Sequence, residues 1–205
     1  MILHNDDVYL SQALEYMYLV AEKCHADVVH SQTRFVTDED GIIQKGTNLK
    51  FVHNKRPSFL YANSQVNKIL LVSDNPVVRF NEWNDGGIFI DAQYNIFNRD
   101  FFMKNNLNFE VFNGWFGDNR ILALKWIMKA KVLVKTIEPF YIHRSSRDSQ
   151  TQLKFTSEHV AKFITALIEL SRHLDEYFAT EKFFRDNKKF QYLARSHLFS
   201  VLDGF

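Results

Sequence analysis

Met1-Ile2-Leu3-His4-Asn5-Asp6-Asp7 runs three apolar residues into a short polar stretch that ends in an acidic pair, and Ala26-Asp27-Val28-Val29-His30-Ser31 supplies a β-branched segment further on. Between them, residues 8–24 carry Ser11 as a candidate helix cap and set Leu14, Met17, Ala21 and Cys24 on one face. That spacing predicts an amphipathic helix, and the Val-Val run after it predicts a strand. A helix and a strand thus follow the acidic segment in succession.

Further along, Arg34-Phe35-Val36 and Ile42-Ile43 flank the turn-rich Thr37-Asp38-Glu39-Asp40-Gly41, which predicts a hairpin. Residues 44–85 show weak periodicity, with turn candidates at Asp74-Asn75-Pro76 and Asn84-Asp85-Gly86-Gly87. They read as a long surface or substrate-facing insertion, with a short helix near 64–71 left open. Ile88–Phe97 reads as strand, Arg99–Asn106 as a short helix, and Asp118–Ala130 as a helix buried through Ile121, Leu122, Leu124, Trp126, Ile127 and Met128. Val132-Leu133-Val134 and Phe140-Tyr141-Ile142 read as strands on either side of Glu138-Pro139, and a polar loop runs from Arg144 to Gln152. The remainder is helical over Ser157–Phe178 and again over Glu181–Leu202, a pair suited to a hairpin.

A chain of 205 residues suits one buried domain, or one with a helical appendage. With 46% hydrophobic residues and 15% aromatic, its composition is that of a folding chain. Lys and Arg number 25 against 24 Asp and Glu, so no single-sign field marks a nucleic-acid binder. Cys24 is the single cysteine, which rules out an internal disulfide and suits a reducing cytoplasm. No run approaches the length of about 20 apolar residues that spans a bilayer. The last stretch mixes Lys, Arg and Phe in helical spacing, which leaves a peripheral contact with the inner membrane face open.

Taken in order, the segments resemble family-two glycosyltransferases of the GT-A type. The acidic segment at Asp6-Asp7, the helix and Ala26-Asp27-Val28-Val29 resemble the middle of that family's domain. Asn95-Ile96-Phe97-Asn98-Arg99-Asp100-Phe101-Phe102, Gly117-Asp118-Asn119 opening an apolar helix, Tyr141-Ile142-His143-Arg144 and Ser149-Gln150-Thr151 resemble its acceptor-side half. The resemblance spans residues 1–152 and implies a partial nucleotide-diphospho-sugar transferase fold without the first βα units, followed by a helical extension at 153–205. It also implies that the donor-binding half is absent from this chain, so that a partner chain supplies it or the product is unstable alone.

The resemblance implies a metal-assisted transfer of a sugar from a nucleotide-sugar donor to a glycan or lipid-linked acceptor, as in cell-surface polysaccharide synthesis. A departing diphosphate calls for a divalent cation, Mn2+ or Mg2+, on hard oxygen ligands. The family's Asp-x-Asp pattern falls on His4-Asn5-Asp6, which makes Asp6 the first metal-ligand candidate, with Asp7 and His4 beside it; a helix cap or solvated turn is the competing role for the acidic pair. Transfer also needs a carboxylate to take the acceptor proton. The family's Glu-Asp falls on Asp118 and Asn119, and an amide is no base, so either Asp118 serves or this function is lost. His143 and Arg144 fall where the family contacts the diphosphate, and Ser149 and Thr151 fall in a loop that closes over the donor. Asp91 is a candidate for the acceptor pocket; Trp83 and Trp115 are either sugar-stacking residues or core. The alternative function is a degenerate, non-catalytic transferase-like module acting through its helical tail.

Overall fold

The computed structural model describes residues 7–31, 34–37, 43–44, 60–61, 69–88, 92–109, 118–136, 141–144 and 156–199. It is a mixed α/β protein with a helical C-terminal region. In chain order the first elements are β1 (Val8–Tyr9), α1 (Ala13–Cys24), β2 (Val28–Ser31), β3 (Arg34–Thr37), β4 (Ile43–Gln44), β5 (Leu60–Tyr61), β6 (Ile69–Val72) and α2 (Pro76–Asn84). A 3-10 turn at Ala92–Tyr94 leads into β7 (Asn95–Phe97), α3 (Arg99–Lys104), α4 (Asp118–Lys129), β8 (Leu133–Thr136) and β9 (Tyr141–Arg144). Then come α5 (Ser157–Thr180), α6 (Lys182–Arg185) and α7 (Lys188–Phe199). The chain divides into two compact units, Met1–Leu107 with Trp126–Leu153, and Asn108–Lys125 with Lys154–Phe205.

The first unit holds two sheets, of order β1-β9-β3-β4 and β5-β6-β8-β2-β7. In the larger sheet β2 and β8 run parallel, while β6 and β7 pair antiparallel with β8 and β2. Side chains alternate across a strand, so Val29 and Val134 share one face, and they cluster there with Ala13, Met17 and Val20 of α1. Of the face expected for α1, Met17 is buried and Ala21 and Cys24 pack half-buried against this cluster, while Leu14 is 57% exposed. Ala13 and Val20 complete the buried stripe, which is the expected face turned by about one residue at its start. Ser11 is not the cap either: Gln12 holds that position without a side-chain capping bond, and the Ser11 hydroxyl donates to Gln12 Oε1 at 3.1 Å.

The insertion expected at 44–85 contains core elements. Ile69-Leu70-Leu71-Val72 is strand β6, against the helix left open there, and it pairs with β8 inside the sheet. Asp74-Asn75-Pro76 is a helix start: Asn75 Oδ1 accepts from the Val77 and Val78 amides at 2.9 and 3.4 Å, and Pro76 takes the first helical position. Phe80 and Trp83 of α2 are buried, which makes Trp83 a core residue. Of the long strand expected at 88–97, β7 covers Asn95–Phe97 and the 3-10 turn takes Ala92–Tyr94, while 89–91 lie outside the described residues. The hairpin pairs Val36 with Gln44 and Thr37 with Ile43.

Asp27 of the Ala-Asp-Val-Val run has a backbone task. Its Oδ2 accepts from the amides of Lys131 and Val132 at 2.6 and 3.0 Å, which fixes where the chain enters β8. In the second unit, α5 opens on a capping box between Thr156 and His159. Phe178 and Phe184 pack there at 4.8 Å between ring centroids. The single helix expected over 181–202 is broken at Asp186–Asn187 into α6 and α7.

Candidate functional site

β1 joins the acidic segment to the small sheet by pairing antiparallel with β9, Val8 against Ile142 and Tyr9 against Tyr141. Asp7 and the Tyr141–Arg144 segment, far apart in sequence, thereby stand on neighbouring strands. Asp7 is 6% exposed and Tyr141 fully buried, and the Tyr141 hydroxyl donates to Asp7 Oδ2. Tyr9 and Tyr94 each meet the Tyr141 ring edge-on, with centroids 5.2 Å apart. The Tyr9 hydroxyl donates to the Gln93 carbonyl at 2.6 Å. Burial, and then the bond to Asp7, raise the pKa of the Tyr141 hydroxyl; burial does the same at Tyr9, helped by Tyr94 and Asp7. These phenols stay protonated and act as hydrogen-bond donors.

A second polar cluster lies in the larger sheet. The register sets Lys135 beside His30 and His30 beside Asn95, on the face opposite Val29 and Val134. His30 Nδ1 and Asn95 Oδ1 are 2.8 Å apart, and Asn95 Nδ2 donates to the Ala92 carbonyl at 3.3 Å. Burial lowers the His30 pKa to about 3, and the Lys135 charge adds to this against the Asn95 bond. Lys135 Nζ donates to Glu82 Oε1 and, at 3.0 Å, to the Gly87 carbonyl. Burial shifts both members of the Glu82–Lys135 pair toward their neutral forms, and their mutual attraction opposes it. Gly87 is required by this close approach: a Cβ there would sit 2.8 Å from Glu82 Cγ.

Of the described candidate residues, Asp7 has its side chain set in a polar cluster. His143 and Arg144 continue β9, where they pair with Val36 and Thr37 of β3. Asp118 and Asn119 open α4 and belong to the second unit. His4, Asp6, Asp91, Trp115, Ser149 and Thr151 lie outside the described residues. Tyr9, Tyr94, Tyr141 and Gln93 were not foreseen as companions of Asp7; a tyrosine in a strand reads as β-propensity, and nothing in its own segment reveals what its hydroxyl will meet.

Among the described residues, no group of three or more His, Cys, Asp or Glu gathers as a metal site, and no helix is long and apolar enough to cross a membrane.

The sequence matches no protein-family model and no curated protein. Among solved structures the chain is similar to S. aureus TarS 1–349 in complex with UDP-GlcNAc, with a TM-score of 0.44 and 10% identity, covering 97% of this chain and 57% of that one. It is also similar to S. aureus TarS 1–349, with a TM-score of 0.41 and 12% identity, covering 98% of this chain and 65% of that one. The chain thus spans less than two thirds of the length of either, and at these values its function has to be argued from its own residues.

Proposed function

We propose that the chain serves a metal-assisted glycosyl transfer from a nucleotide-sugar donor to a glycan or lipid-linked acceptor, as the acceptor side of a GT-A type transferase. The observation that supports this reading is the β1–β9 pairing, which brings the acidic segment next to the strand that carries His143 and Arg144. Both segments were singled out by the resemblance, and the pairing joins them across most of the first unit.

In this reaction the acceptor oxygen forms a bond to the anomeric carbon as the bond to the diphosphate oxygen breaks, and the acceptor proton passes to a carboxylate. A divalent cation supplies charge stabilisation on the departing diphosphate. Mg2+-type sites take one or two carboxylates and complete their shell with phosphate and water oxygens, so a single carboxylate of the acidic segment would serve. Asp6 is the proposed ligand, with His4 as a further candidate, and His143 and Arg144 are the proposed diphosphate contacts. Asp118 is the proposed base, and Ser149 and Thr151 belong to the closing segment. The degenerate, non-catalytic reading is favoured by Asn119, an amide where the resemblance expects the basic carboxylate.

An NMR titration of the intact chain with UDP and Mn2+ tests the site, because it detects weak binding. Wild type is expected to broaden or shift amides of β1 and β9, and Asp6→Ala to abolish the effect. Identical spectra with and without the pair of ligands would remove the cation and diphosphate contacts assigned to this chain. Sugar transfer that survives Asp118→Asn would remove Asp118 as the base.

A further inference from the structure

We infer that Asp7 is the positioning residue of the acidic segment: its carboxylate, held by the Tyr141 hydroxyl, fastens β1 to β9 and leaves the cation to the preceding Asp6. The division of labour rests on the transferase reading above; the fastening does not.

Three observations carry it. Asp7 is 6% exposed, whereas a carboxylate that shares a cation with a substrate diphosphate has to be reachable by that substrate. The group that meets Asp7 is itself fixed: the Tyr141 ring is gripped edge-on by Tyr9 and Tyr94, and Tyr9 is anchored through its hydroxyl to the Gln93 carbonyl. Residues of β1, β9 and the 3-10 turn thus hold one phenol in one orientation, and that phenol points its proton at Asp7. The ladder it reinforces is short, two residue pairs, and so small a ladder is marginal without side-chain ties. The Asp7–Tyr141 bond adds a tie immediately ahead of that ladder. It fixes the point at which the acidic segment joins the sheet.

A double-mutant cycle tests the fastening through the folding equilibrium. Asp7→Ala and Tyr141→Phe are each expected to lower the folding constant by at least about tenfold, the scale of a hydrogen bond to a charged group. The double variant is expected to be no worse than the poorer single one; fully additive losses would overturn the fastening. If Asp7→Ala does not fold, hydrogen exchange at the Val8 and Tyr9 amides in Tyr141→Phe decides it. About tenfold faster exchange supports the tie, and unchanged exchange overturns it.

The division of labour is read from Mn2+ uptake in the presence of UDP, followed by the EPR signal of the free ion. Asp7→Asn keeps an oxygen that accepts from Tyr141, so its Mn2+ affinity is expected to stay within about threefold of wild type, while Asp6→Asn loses about a hundredfold. An equal loss in both would make Asp7 a ligand and overturn the assignment. A wild-type chain that takes up no Mn2+ with UDP defeats the transferase reading and the ligand half of this one, and the cycle then judges the fastening alone.

Discussion

The Asp7–Tyr141 and Glu82–Lys135 pairs are both buried polar contacts of the first unit, yet their strands occupy opposite kinds of place. β1 is the edge of its sheet, and Val8 beside Asp7 is 47% exposed. β8 lies between β6 and β2 in the larger sheet, and the Lys135 side chain is 1% exposed. The interior pair connects α2 and the turn at Gly87 to the sheet, which is a task of architecture. The edge pair ties the acidic segment to its sheet. A buried polar pair therefore takes its task from the position of its strand.

The largest effect is expected from breaking the interior pair. Lys135→Met leaves the Glu82 carboxylate buried without its cation, which costs about 3–5 kcal/mol, measured by urea unfolding. Glu82→Leu added to it is expected to recover much of that loss, since an apolar pair of similar volume replaces a buried ion pair at little cost. If the single and double variants unfold at the same urea concentration, Glu82 is better solvated than its 10% side-chain exposure implies.

These two clusters also differ in how far the sequence announced them. The acidic segment stood out because two carboxylates follow an apolar run, and the helix and strand after it were legible from spacing and β-branching. Lys135 and His30 were hidden. Each lies in a short strand with β-branched neighbours, where a polar residue reads as a solvent-facing alternate, and only the register shows that it faces inward toward α2 or Trp126. β6 was missed for the opposite reason. Its flanks are polar and aperiodic, so the apolar run reads as part of the insertion, with a short helix near 64–71 left open, although four apolar residues in a row also suit an interior strand. The tyrosines around Asp7 come from three distant segments, and no local signal predicts such a meeting.

The next effect is a pH dependence of stability from His30. Its native pKa is lowered to about 3, while in the unfolded chain it is about 6.5. A base with a depressed native pKa contributes its stability above the unfolded value and loses it as pH falls toward the native one. Stability is therefore expected to fall by about 1.4 kcal/mol per pH unit from pH 6.5 downward through pH 5. His30→Gln is expected to flatten that slope. Lys135 and Asn95 on the flanking strands and Trp126 of α4 surround the ring; Asn95 and Trp126 carry no titrating group, and burial draws Lys135 toward its neutral form against the pull of Glu82. A slope that persists in the variant would assign the proton uptake to another histidine.

The smallest effect separates two residues that look alike in sequence, a polar side chain just before a predicted or unrecognised helix. Asn75 accepts from two amides of the first turn of α2, so Asn75→Ala leaves those donors without their partner and is expected to cost about 1 kcal/mol. Ser11 bonds only to the side chain of its neighbour Gln12, so Ser11→Ala is expected to stay within about 0.5 kcal/mol of wild type. Thermal unfolding of the two variants side by side makes the comparison. Equal shifts would mean that Ser11 caps α1 in solution after all, and the ordering expected here follows from which backbone amides each oxygen reaches, not from residue type.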